Sequence, residues 1–275
     1  FSSVVGLVLA AGKGTRMKSD RPKVLHEAFF SPMIHHVVDV LQAISLGRNI
    51  VVTGHQHRLV EESLRGYPLS FVHQSQQLGT GHAVLACEGD LREHKGHVLI
   101  LCGDTPLVRP ETLRQFLQAH VESASQLTVM TTKVLDPSNY GRIVSDEYGT
   151  IVKIVEEKDA TREQKEIKEI NAGIYCVEAT FLFDSLKRVG TDNMQGEIYL
   201  TDIVGIATGD GVHVHKFCCS DSEEILGVNS RRELSQAHTV LQRRYLHALM
   251  ESGVTLIQPE SVTIEKTVII GKDSV

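Results

Sequence analysis

The stretch LVLAAGKGTRMKSDRPK, residues 7–23, decides how the chain is read. An apolar strand runs into a glycine-rich loop that fits neither familiar phosphate-binding template. The dinucleotide fingerprint needs a third glycine where Met17 stands, and Gly12-Lys13-Gly14-Thr15 lacks the Gly-Lys-Ser/Thr order of a P-loop. Gly12 and Gly14 nonetheless let the backbone pass close to a ligand and turn its N–H groups toward phosphate oxygens. Arg16 and Lys23 add two cations, the second held by Pro22. A strand–turn–helix with solvated basic residues is the plain alternative.

Working outward, short apolar runs alternate with helical periods. Strands are expected at Val4–Ala10, Ile50–Thr53, Ser70–His73 and Val98–Cys102. Between them, Met33, Ile34, Val37, Val38, Leu41 and Ile44 keep the spacing of an amphipathic helix. Shorter helices are expected over His57–Arg65 and His82–Cys87, and Pro110 opens another at its first turn. Such alternation predicts an α/β fold with a mostly parallel mixed sheet covered on both faces. Ligands of such sheets bind beyond the C-terminal ends of the strands.

After residue 125 the rhythm changes to strands at Leu127–Thr132, Arg142–Ser145, Thr150–Glu156 and Asn171–Val177, with helices near Phe181–Lys187 and Tyr199–Ala207. Ser230 and Glu233 form a capping box for a helix running to about Ser252. Beyond it, QPESVT, IEKTVI and IGKDSV can be laid out as three six-residue units over 258–275. Two edge strands are the bland reading. Such a repeat buries its face only by stacking on further copies, and the pattern stops as it begins, which suggests a piece of a longer chain.

Composition bounds the partners. The 275 residues carry a net charge of −6 and no basic stripe, which argues against nucleic acid. No run of 18 apolar residues exists, so no membrane span is expected. The chain opens directly on a strand without a basic leader, and its five cysteines lack CxxC spacing; a cytoplasmic location is expected. The fourteen histidines show no HExxH spacing, and no histidine metal site is expected.

Several other residues can carry chemistry. Asp104 follows the buried strand in LILCGDTP, where a carboxylate needs a positive partner, and Mg²⁺ is the usual one. Asn229, just before the capped helix, could be a second, neutral ligand. Gln74, Gly79 and Thr80 in QSQQLGTGHA could read a nucleobase edge, while Glu156 and Asn171 suit sugar hydroxyls or an N-acetyl group. Taken singly, each also reads as a turn or cap residue.

The motifs LAAGKGTRM…PKVLH, QQLGTGHA, CGDTPL, DPSNYGRIV, IVEEKDAT, EINAGIY, QGEIYLTDI and GVNSR follow in that order over residues 7–232. Together they resemble the N-terminal domain of the bacterial bifunctional N-acetylglucosamine-1-phosphate uridylyltransferase/glucosamine-1-phosphate acetyltransferases. The resemblance implies a Rossmann-like nucleotidyltransferase domain over 1–228, a linker helix over 229–253 and the start of a left-handed β-helix over 254–275. It implies uracil and ribose contacts from Leu9, Ala10, Ala11, Gly12, Gln74, Gly79 and Thr80, and triphosphate contacts from Arg16 and Lys23. Asp104 and Asn229 would hold Mg²⁺, and Gly141, Glu156, Asn171 and Thr201 the acetamido sugar.

The implied substrates are UTP and N-acetylglucosamine 1-phosphate, joined by in-line attack without a protein nucleophile. No acetyl transfer is expected from this stretch, and the homotrimer of the family belongs to a longer protein with the full repeat. The sequence departs from the family at Phe30-Ser31, where a Gly-Lys pair is usual, and at Cys102, where Tyr is common. Other readings are a pyrophosphorylase for glucose 1-phosphate, a cytidylyl- or thymidylyltransferase, and a nucleotide-sugar-binding regulator without turnover. A dehydrogenase fails at Met17.

Overall fold

The computed structural model describes residues 1–275. Strand β1 (Val4–Ala10) leads through the glycine loop and a two-residue hairpin, β2 (Glu27–Ala28) and β3 (Ser31–Pro32), into helix α1 (Met33–Ala43). Next come β4 (Arg48–Thr53), α2 (His57–Ser63), β5 (Ser70–His73), α3 (Thr80–Leu85), α4 (Glu88–Leu91), β6 (His97–Cys102) and α5 (Pro110–Ser123). The second half holds β7 (Leu127–Lys133), β8 (Arg142–Ser145), β9 (Ile151–Val155), α6 (Arg162–Lys165), β10 (Glu169–Glu178), α7 (Ala179–Leu186), α8 (Asp202–Gly209) and β11 (Val214–Cys218). The long helix α9 (Arg231–Glu251) follows.

The strands form one nine-stranded sheet whose main path runs β11-β7-β10-β6-β1-β4-β5, with β8 and β9 attached to β10. Along that path only β10 runs against the others, pairing antiparallel with β6 and β7. The chain leaves β1 toward β4 and β5, then returns to its other side at β6. The C-terminal ends of β1 and β6 therefore flank a topological switch point, where a crevice opens because the two connections diverge.

Side chains of β1 alternate between two cores, as a strand buried on both faces requires. Val5 and Leu7 enter the cluster with Ile100, Val129 and Leu182, whereas Val4 and Val8 join Leu41, Leu99 and Phe116. A third, smaller cluster seats Ala237 and Val240 of α9 against Ala28, Met33, Leu107 and Val228. This last contact brings the far end of the chain back over the loop that follows β1.

The expected elements lie near where the sequence places them, β2, β3, α4, α6 and β11 are added to them, and three features depart from expectation. The helix expected over Tyr199–Ala207 begins later, at Asp202, because residues 198–200 are tied to α3. Gly81 N–H donates to Ile198 O (2.8 Å), and Leu200 N–H donates to Thr80 Oγ1 (3.0 Å). The hairpin before α1 puts Phe29 and Phe30 at φ of 48° and 64°, a left-handed turn that the usual glycine would enter at less cost.

The third difference lies in residues 254–275, which contain no strand, only a short 3₁₀ turn at Pro259–Ser261. Thr255 N–H donates to Ser274 O (2.8 Å) and Asp273 N–H to Gly253 O (2.9 Å), so the segment returns to its own start. A hexapeptide coil gains strand hydrogen bonds from the coil stacked on it. Here Val268 and Ile269 are exposed.

Candidate active site

The loop after β1 carries unspent hydrogen-bond donors. None of the backbone N–H groups from Gly12 to Arg16 bonds to another backbone group, and the next one, Met17 N–H, closes a turn onto Gly14 O (2.9 Å). Gly14 sits at φ +62°, and a Cβ there would lie 2.5 Å from Lys23 Cβ. A glycine is therefore required both by the backbone conformation and by the packing of Lys23. A run of free amides beside two cations is a concave anion receptor.

Asp104 reaches this receptor from the end of β6. Gly103 N–H donates to Leu9 O (2.9 Å), which fixes the turn beside β1. Asp104 pairs with Lys23, and both side chains are 16% exposed. Asn229 arrives from the other end of the chain through the hydrogen bond of Val228 N–H to Asp104 O (2.8 Å). Its Oδ1 accepts from Lys23 Nζ (3.1 Å) and Arg16 Nη2 (2.8 Å). The expected capping box forms only in part: Glu233 N–H donates to Ser230 Oγ (3.3 Å), while Glu233 Oε2 accepts from Asn229 N–H (2.8 Å) and Ser230 Oγ–H (3.0 Å) rather than from Ser230 N–H, and so holds Asn229 in place.

Two hard oxygen donors, the Asp104 carboxylate and the Asn229 amide, thus converge on one ammonium. A cation already sits between them, and the donor set suits a hard divalent ion.

An open cleft of about 510 Å³ extends from the receptor. Leu9, Ala10, Ala11, Gly12, Lys23, Gln74, Gly79, Thr80 and Asp104 all line it, and so do Lys13, Thr15, Cys102 and Glu197. Gln74 is 3% exposed, and its Nε2 donates to Gly79 O (3.2 Å) and His82 Nδ1 (2.9 Å). Gly79 has φ +107°, and a Cβ on it would strike Ile198 O at 2.5 Å, so the turn needs glycine. Burial, with Asp104 next in weight, pushes the Cys102 thiol up to about 12, so it stays a neutral wall of the cleft.

Gly141, Glu156, Asn171 and Thr201 assemble as a second group. Asn171 N–H donates to Gly141 O (2.9 Å), and Thr201 Oγ1 donates to Glu156 Oε1 (3.1 Å). The Asn171 amide accepts from Gly173 N–H (3.0 Å) and donates to Tyr175 OH (2.6 Å). A Cβ on Gly141 would come within 3.6 Å of both Asn171 Cβ and Glu156 Oε2. Withdrawal from water raises the Glu156 carboxyl above its usual range; Thr201 opposes the rise, and Asp202, Asp159 and Glu197 reinforce it. This group adjoins the first through Cys102, whose Sγ contacts Gly173 O at 3.8 Å.

Three residues escaped the sequence reading. Tyr140 stands beside Gly141, its phenol raised to about 12 chiefly by burial and then by Glu233. Arg142, 1% exposed, pairs with Glu157 (2.7 Å) and donates to Tyr140 O, which stiffens the loop bearing Gly141. Tyr175 anchors Asn171. All three lie inside the motifs YGRI and EINAGIY, but only tertiary contacts show what they hold.

Comparison with known proteins gives the family of the chain. Residues 6–241 match the family model described as a MobA-like NTP transferase domain. The chain is 44% identical over 275 residues to the "Bifunctional protein GlmU" of Geobacter metallireducens, covering all of this chain but only 58% of that protein's length. It is also 44% identical over 268 residues to the "Bifunctional protein GlmU" of Desulfotalea psychrophila, covering 98% of this chain and 79% of the relative. A solved UDP-glucose pyrophosphorylase complexed with UDP-glucose superimposes with a TM-score of 0.72 at 20% identity, over 87% of this chain and 98% of its own. That likeness shows a shared fold. With the family model spanning most of its length, the chain belongs to the MobA-like NTP transferases and, within them, to the GlmU proteins.

Proposed function

We propose that this chain transfers UMP from UTP to N-acetylglucosamine 1-phosphate, releasing pyrophosphate and forming UDP-N-acetylglucosamine. The observation that carries the reading is the row of unbonded amides from Gly12 to Arg16 meeting Arg16, Lys23, Asp104 and Asn229 at the switch point. The amides and the two cations would bind the triphosphate and keep it extended for attack. Gln74 and the Gly79 turn would hold the uracil, using hydrogen-bonding capacity that a buried amide has left for a base edge.

Glu156, Thr201, Asn171 and Gly141 would seat the acetamido sugar so that its phosphate faces the α-phosphorus. Two anions are brought together, so positioning and charge neutralisation supply the rate. Arg16 would neutralise the charge that grows on the leaving pyrophosphate. Asp104 and Asn229 would hold a divalent ion, proposed as Mg²⁺, which when bound supplies Lewis-acid polarisation of phosphate oxygens. Lys23 would give up its place between them and turn to phosphate.

The whole protein, like the relatives that extend beyond the matched length, is proposed to acetylate glucosamine 1-phosphate in a further domain and to assemble as a homotrimer. Residues 229–253 would then be the linker helix and 254–275 the start of the β-helix. No helix of this chain is long and apolar enough to cross a membrane; a cytoplasmic location is part of the proposal.

The test is pyrophosphate release from UTP with N-acetylglucosamine 1-phosphate, glucose 1-phosphate and glucosamine 1-phosphate in parallel. Turnover with the acetylated sugar alone supports the full reading. Preference for glucose 1-phosphate overturns the sugar assignment.

A further inference from the structure

At the opposite end of the sheet from the cleft, three side chains from three elements meet. His97 is the first residue of β6, His120 lies in α5 and Cys176 lies in β10. One ligand atom from each falls within 4.8 Å of the other two. The histidines are in direct contact, with His120 Nε2 and His97 Nδ1 2.9 Å apart. Around a tetrahedral zinc, with bonds of about 2.0 Å to nitrogen and 2.3 Å to sulfur, neighbouring ligand atoms stand roughly 3.3–3.6 Å apart. The observed cluster needs only small side-chain movements to reach that spacing.

The geometry points to a soft divalent-metal site at His97, His120 and Cys176, with Zn²⁺ as the fitting ion. The donor set, two imidazoles and a thiol, suits zinc and discriminates against magnesium. Thr128 Oγ1 lies 2.7 Å from His120 Nδ1 and can accept its N–H, leaving Nε2 with the lone pair a metal requires.

Cys87, Cys102 and Cys219 each direct Sγ to a main-chain oxygen, whereas Cys176 has no such contact and faces the imidazoles. On binding, the Cys176 thiol loses its proton to solvent and His97 moves its N–H from Nδ1 to Nε2. His97 is partly exposed, which provides a route for the ion and a place for water as fourth ligand. Because β6 separates the two centres by roughly 17 Å of strand, the ion here would clamp α5 to the sheet and take no part in nucleotide binding. Sequence spacing could not signal this site, since its ligands lie 23 and 56 residues apart along the chain.

The experiment titrates the full chain with Co²⁺ and Zn²⁺, alone and in an Asp104→Ala background that removes the catalytic carboxylate. One equivalent of Co²⁺ is expected to produce thiolate-to-metal charge-transfer absorption, kept in Asp104→Ala and lost in Cys176→Ala. Zn²⁺ should raise the melting temperature of the wild-type chain, because a site assembled from three distant elements exists only in the folded state. His97→Gln, a change at a partly exposed position, should weaken Zn²⁺ binding at least tenfold. No charge-transfer band in the wild type overturns the proposal, as does a band of undiminished strength in Cys176→Ala or an unchanged zinc affinity in His97→Gln.

Discussion

Asn229 Oδ1 accepts a 2.8 Å hydrogen bond from Arg16, a residue 213 positions earlier in the chain. This bond closes the glycine loop against the start of α9 and holds the guanidinium at the mouth of the cleft. Arg16→Ala should therefore reduce pyrophosphate release by roughly 10²–10³, the loss typical of one preorganised charge contact. Circular dichroism should show the fold unchanged, and steady-state kinetics should place the loss in kcat more than in KM.

Glu233 acts one step behind Asn229, receiving its backbone N–H and the Ser230 hydroxyl at the start of α9. Glu233→Ala should cost about 1–2 kcal/mol of stability, the typical worth of hydrogen bonds to a charged group. It should also lower turnover, because Asn229 would no longer be held against Asp104. Glu233→Gln should restore much of both, which separates the cap from the charge; thermal melts and initial rates on the two variants check this.

Gly14→Ala tests the loop itself. The added methyl would meet Lys23 Cβ at a distance no real contact shows, in a left-handed backbone that costs a further 1–2 kcal/mol or so. UTP affinity should fall by at least tenfold in a calorimetric titration. Gly12→Ala, where a Cβ meets nothing within 4 Å, should fold normally and lose affinity only where the methyl meets the nucleotide.

Glu156 provides a dependence on pH. Its carboxyl is raised in the folded state by withdrawal from water. Between the ordinary glutamate pKa and that raised value, the folded chain holds a proton that the unfolded chain has lost, so stability falls as pH rises through the window. Glu156→Gln keeps an acceptor for Thr201 and removes the buried charge. At neutral pH it should melt higher, by about 2–4 °C for each kcal/mol recovered, while KM for the sugar phosphate rises. At a pH below the window the difference in melting temperature should shrink.

The architecture and the phosphate loop follow from local sequence pattern. Strand β1, its glycine loop and the run ending at Asp104 are local features, written in apolar alternation, positive-φ glycines and the residues that follow each strand. For that reason Gly12, Gln74, Gly79 and Thr80 are legible from the pattern itself, whereas Leu9, Ala10 and Ala11 follow from the family resemblance. What only the tertiary structure decided is which distant groups share a space. Asn229 reaches Asp104 because α9 buries Ala237 and Val240 over the β2–β3 hairpin. Asn171 is held by Tyr175 because the ladder between β10 and β7 is irregular between those two residues. His97, His120 and Cys176 meet only because α5 packs against β7 and β11, which carries His120 to Thr128 and on to His97 at the start of β6. Local pattern fixes backbone conformation within a few residues, whereas the meeting of remote side chains depends on burying whole faces of helices and sheet, an energy spread over the entire core.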